Sequence, residues 1–160
     1  MGIPQQLWVR TEKSSSQVPV PATPQATDGP NGQLEIALLF TSPEATARAL
    51  ERTAALLAGL NARIHLLAVQ TVPYALALNN PPVSVAFNEQ RLLDIAKDIP
   101  IDTTAHLYVC RCPLDTLTSV LRPGSVLIVG AQKTWWPTWE RKLARKLASA
   151  GLRIILLELD

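Results

Sequence analysis

Five short apolar runs constrain this chain more than any other feature. They are Leu34 to Phe40, Arg63 to Val69, Thr104 to Cys110, Ser125 to Gly130 and Arg153 to Leu159. Each has the length of one strand, and between them lie stretches in which apolar residues return every three or four positions. The alternation βαβαβαβαβ implies an α/β fold: a doubly wound, five-stranded parallel sheet with helices on both faces, since right-handed crossovers must cover each side. Val126 to Val129 are β-branched or Leu throughout, as a strand buried on both faces requires. The third run alternates weakly enough to suggest a sheet edge.

Local signals place the helices. Ser42 is a good N-cap, Pro43 suits the first helical position, and Glu44 favours the positive helix end. Ala47, Leu50, Ala54, Leu57 and Ala58 then recur at helical spacing, and Gly59 ends the segment. Asn88 is the expected cap of a second helix, Glu89 to Ile99, stopped by Pro100. The connection from 71 to 87 is long and proline-rich, so Tyr74, Leu76 and Leu78 either form a flap over the sheet end or simply pack. Pro113 to Leu121 is a short third helix. In the fourth, Trp139, Leu143, Leu147 and Ala150 face the sheet, while Arg141, Lys142, Arg145 and Lys146 face water.

Composition excludes several classes. The 160 residues are 48% hydrophobic and 18% charged, which fits one globular domain. Residues 1–32, rich in Pro, Ser and Gln, read as a flexible tail before a domain at 33–160, with Leu7-Trp8-Val9 its one apolar spot. No apolar run approaches the roughly 20 residues that span a bilayer, and no secretory leader is visible, so a cytoplasmic location is the default. A net charge of +2 is too mild to imply a nucleic-acid partner. Cys110 and Cys112 are two apart and read as a reduced structural pair on one strand face. His65 and His106 offer no recognisable ligand spacing. His65 reads as a core-edge or surface histidine.

The functional reading turns on the loop after the fourth run. In open parallel sheets, ligands sit beyond the carboxyl ends of the strands, where strand order reverses. Gly130 ends this run and permits close backbone approach. The next residues are not glycines but Gln132, Lys133, Thr134, Trp135 and Trp136. Gln132, Lys133 and Thr134 are candidate anion ligands together with a helix N-terminus. Trp135, Trp136 and Trp139 either fill a pocket or form an aromatic partner surface, or else Trp139 is core and the other two cap the sheet end. No catalytic constellation and no metal cluster is visible.

In order and spacing, three segments resemble the universal stress protein (UspA-like) family over about residues 34 to 159. They are a strand followed by Thr41-Ser42-Pro43-Glu44 and an Ala-rich helix; Ala58-Gly59-Leu60-Asn61-Ala62 before a strand ending Leu67-Ala68-Val69; and Ser125 to Gly130 before a helix and a final apolar strand. The resemblance implies strand order 3-2-1-4-5 and a homodimer through the last strand, making Ile154 and Leu156, with Trp135 and Trp136, candidate interface residues. ATP-binding members carry a glycine loop after the fourth strand, whose backbone amides cradle phosphates. Here only Gly130 matches; the second glycine falls on Lys133, and neither way of aligning the rest recovers the motif. An acidic residue usual at the end of the family's first strand is replaced by Phe40. The expectation is therefore a non-enzymatic stress or regulatory domain acting by dimerisation and protein interaction, without a cofactor. The alternative is a domain binding ATP, another adenine nucleotide or an anion through a divergent loop around Thr41, Ser42, Gly130, Lys133 and Thr134. A hydrolase of a related nucleotide-binding α/β group is a third reading.

Overall fold

A computed structural model describes residues 32–160. Almost all of the expected tail, with Leu7-Trp8-Val9, lies outside the described residues. The elements follow in strict alternation: β1 (Leu34–Leu39), α1 (Pro43–Leu56), β2 (Ala62–Thr71), α2 (Val85–Ala96), β3 (Asp102–Cys110), α3 (Pro113–Val120), β4 (Val126–Gln132), α4 (Trp139–Ser149) and β5 (Arg153–Leu159). The five strands form one all-parallel sheet in the order β3-β2-β1-β4-β5, which is the expected doubly wound architecture.

Strand parity divides the core in two. On one face Leu38, Ile64, Leu66, Leu107 and Ile128 pack under Leu50 of α1, Leu57 at its C-cap and Leu92 of α2. On the other, Leu39, Leu67, Tyr108, Leu127 and Val129 pack under Leu117 and Val120 of α3 and Leu147 of α4. Successive side chains point to opposite faces, so a strand apolar throughout can serve both layers.

The helix signals act largely as read. Ser42 Oγ accepts from the Ala45 amide at 3.2 Å, and Pro43 opens α1. α4 ends in a Schellman motif: the Gly151 amide reaches the Ala148 carbonyl and the Leu152 amide the Leu147 carbonyl. The turn requires φ of +96° at Gly151, which glycine adopts without strain.

Four expectations need correction. α2 begins earlier than expected, and its cap is Ser84, whose Oγ accepts from the Phe87 amide at 3.2 Å; Asn88 lies inside the helix. In α4 the face toward the sheet is Leu143, Ala144 and Leu147, whereas Trp139 is 52% exposed and Ala150 is exposed. Arg141, expected in water, is half-buried and paired with Glu158 at 2.9 Å. β3 stops at Cys110, and Cys112 is the N-cap of α3, so the two thiols do not share a strand face.

Candidate functional site

The strand order reverses between β1 and β4, which places the crevice at Phe40, Thr41, Ser42 and the end of β4. The structure brings Thr41 and Gly130 together: the Thr41 hydroxyl donates to the Gly130 carbonyl at 3.0 Å. The polar groups here are turned inward. The Thr41 amide donates to Thr46 Oγ1, Ser42 Oγ takes the Ala45 amide, and the Ser42 carbonyl takes the Thr46 amide.

Gly130 itself has a different role from the one the sequence suggests. It is an internal residue of β4, which runs on through Ala131 and Gln132. A Cβ on it would lie 2.9 Å from Ala49 Cβ, 3.1 Å from the Ala45 carbonyl oxygen and 3.3 Å from Leu159 Cδ1. The bare backbone lets α1 settle on the sheet; the space beside it is filled by protein.

Beyond β4 the chain turns toward the end of β5. The Lys133 amide donates to the Leu159 carbonyl, and its ammonium lies 3.8 Å from an Asp160 carboxylate oxygen. Thr134 Oγ1 donates to the Trp136 carbonyl at 2.9 Å, and Gln132 is exposed. The anion ligands expected from the sequence thus do not converge on one point: Thr41 and Ser42 brace α1, while Lys133 and Thr134 brace the loop. Trp135 and Trp136 are 90% and 77% exposed, so they neither fill a pocket nor cap the sheet. Of the candidate interface residues on β5, Ile154 and Leu156 are half-buried against the α3–α4 layer. Ile155 points the other way and is 47% exposed.

At the start of α4, Thr138 Oγ1, Glu140 Oε2 and Arg141 Nε are buried atoms without a hydrogen-bond partner.

A cavity of about 140 Å³ opens at the carboxyl ends of β1 and β2, under α2. Phe40, Ala68, Leu92 and Leu107 supply its apolar wall, and Gln70, Asn88 and Arg91 its polar rim. Gln70 is pinned on both sides: its Nε2 donates to the Val83 carbonyl at 2.6 Å, and its Oε1 accepts from Asn88 Nδ2 at 3.0 Å. The Arg91 guanidinium lies over two rings, 5.8 Å from the Phe40 centroid and 5.5 Å from that of Phe87. A larger recess of about 430 Å³ lies at the opposite, amino end of the strands, among Leu57, Leu60, Asn61 and Pro100. In the long connection, Tyr74 is exposed and carries Arg111 over its ring at 5.3 Å.

Sequence reasoning missed a polar cluster inside the α3–α4 layer. Register pairs His65 with Thr104 and Leu67 with His106. His65 Nδ1 lies 2.9 Å from Thr104 Oγ1 and 3.3 Å from His106 Nε2, and its Nε2 lies 3.7 Å from Glu35 Oε2. The ring is 2% exposed, not at the surface. Burial, then the neighbouring His106 and Arg63, lower its pKa from 6.5 to about 3, so it is neutral. The detectable signal is parity: 35, 63, 65, 104 and 106 fall on one sheet face once the register is known. Among the described residues, no group of three or more His, Cys, Asp or Glu is arranged to hold a metal ion. Also among them, no helix is long and apolar enough to cross a membrane. The thiols of Cys110 and Cys112 are reduced, and burial raises the pKa of Cys110.

The chain matches no protein-family model, and no curated protein matches it significantly.

Proposed function

We propose that this chain is a non-catalytic, UspA-like regulatory domain that acts in the cytoplasm by dimerisation and protein interaction. In this reading it lacks the family's usual mode of ATP binding. The observation that carries the reading is the packing around Gly130. A triphosphate held by main-chain amides needs bare backbone facing a void. Here Ala49, Ala45 and Leu159 occupy the space a Cβ would meet, and the nearby amides of Thr41, Ala45 and Thr46 already have internal acceptors. Size argues the same way. Pockets for drug-sized ligands run from roughly 300 Å³ upward, whereas the cavity beside Phe40 is about 140 Å³.

Two surfaces support an interaction role. β5 is an edge strand with Ile155 exposed, and an open apolar edge is a hazard that a second copy would cover. Trp135 and Trp136 stand out from the loop after β4, and Trp is among the residues most enriched at binding hot spots. The test is direct. The purified protein is denatured and the supernatant assayed for adenine nucleotide, alongside titration of the folded protein with ATP. No nucleotide and no binding at millimolar ATP is the expected result. Stoichiometric ATP or AMP in the supernatant would replace this reading with the nucleotide-binding one.

A further inference from the structure

We propose that the cavity under α2 is a binding site for a small monocarboxylate with an apolar body of about one ring, its carboxylate held by Arg91. The state of the guanidinium points there first. Among the described residues it makes no hydrogen bond and no ion pair; its contacts are the faces of Phe40 and Phe87. A cation–π contact offers no lone-pair acceptor to a guanidinium, so its five N–H donors stay available to an anion. A half-buried planar fork of donors is suited to a carboxylate, which it binds through two parallel hydrogen bonds. The two rings also fix the fork in place, so little side-chain entropy is lost when an anion arrives.

The shape behind the fork points the same way. Asn88, Arg91 and Leu92 fall at positions i, i+3 and i+4 of α2, so one helix face carries the rim and part of the floor. Ala68, Leu92 and Leu107 are almost fully buried and line the interior. A dry apolar cavity of about 150 Å³ accommodates a benzene molecule; this one is about 140 Å³. A phosphate would leave that apolar wall unfilled, and a nucleoside would not enter. The bonds Gln70–Val83 and Gln70–Asn88 hold the rim in one arrangement. The position agrees with the general rule for open parallel sheets, beyond the carboxyl ends of the strands. Neither dimerisation nor the absence of ATP is needed for this site to bind its ligand.

Benzoate is the probe, with benzyl alcohol for the ring without the charge and acetate for the charge without the ring. Binding to the full chain is followed by ¹H–¹⁵N NMR, reading the Arg91 Nε–H and the side-chain amides of Gln70 and Asn88. Benzoate is expected to shift these signals saturably, at least tenfold more tightly than either control. Arg91→Gln is expected to weaken it tenfold or more, and Arg91→Lys to recover only part of the loss. The amide spectrum of each variant reports whether the fold is intact. Should a substitution disturb it, competition on the wild type by cyclohexanecarboxylate against cyclohexanol reads the same preference without a mutation. Benzoate that leaves the three signals unmoved, or binds no better than benzyl alcohol or acetate, would overturn the proposal. So would equal binding to a folded Arg91→Gln variant, or ATP occupying the same signals more tightly than benzoate.

Discussion

At the scale of single residues, His65 makes the sharpest statement about pH. In the unfolded chain its pKa is 6.5; in the fold, burial and the neighbouring His106 and Arg63 lower it to about 3. Glu35 also faces it across 3.7 Å. Between those two values the unfolded chain takes up a proton that the folded chain refuses. Stability is therefore greatest above pH 6.5 and falls as pH drops toward 3, with a slope of up to about 1.4 kcal/mol per pH unit. Urea midpoints across that window are expected to show the slope, and His65→Gln to flatten it. An unchanged slope in the variant would place the effect elsewhere. Gly130→Ala is expected to cost about 1–3 kcal/mol in the same experiment, because its Cβ would press on Ala49 and the Ala45 carbonyl of α1. Cys110 and Cys112 should separate by reactivity. The buried Cys110 thiol has a raised pKa, so mass spectrometry after brief alkylation is expected to find Cys112 labelled first. None of the three is legible in the chain alone: an isolated His, Gly or Cys carries no sign of the partner that a neighbouring element brings to it.

At the scale of elements, legibility depends on whether the signal is local. Ser42-Pro43-Glu44 contains its own cap and helix start, and α1 begins there. The Schellman turn at Gly151 is likewise a local matter. α2 shows the opposite case. Asn88 has the right chemistry for a cap, but its Nδ2 is drawn to Gln70 on β2, and Ser84 caps the helix one turn earlier. The helix starts at Val85, so Asn88 lies within it and its side chain bonds to a strand instead of to the helix end. Ser84→Ala is accordingly expected to cost about 1 kcal/mol through the lost cap. Asn88→Ala is expected to leave the start of the helix in place and instead to free the Gln70 side chain. Amide exchange at Phe87 distinguishes them, rising in Ser84→Ala and not in Asn88→Ala. The same rule explains Trp139 in α4. Its spacing to Leu143 and Leu147 is helical, yet the helix sits so that Leu143, Ala144 and Leu147 meet the sheet, leaving the first-turn indole half outside.

For the whole molecule, the strand order β3-β2-β1-β4-β5 is the one the family resemblance implies, whereas the five-stranded parallel sheet with helices on both faces follows from pattern alone. The site does not, because its character depends on which side chains fill the crevice between β1 and β4, a question of three-dimensional packing. The sheet order has one further consequence. Among the described residues, β4 covers one side of β5, and β5 ends the sheet with its other backbone edge open. Open edges recruit strands unless something covers them. Arg153 and Glu158 are charged and exposed near the ends of β5, but its middle carries Ile155. A two-fold pairing of β5 with its copy would continue the sheet across both subunits and bury that side chain twice. Leu156 is a poor probe of this, since it packs under α3 and α4 and a charge there would damage each subunit by itself. Ile155→Asp is the cleaner one: in the single subunit the side chain is largely in water, so stability should change by no more than about 0.5 kcal/mol. Light scattering at micromolar concentration is expected to give a dimer for the wild type and a monomer for Ile155→Asp. A wild type already monomeric, or a variant that stays dimeric, would remove β5 from the interface and leave the tryptophan loop as the surface to test next.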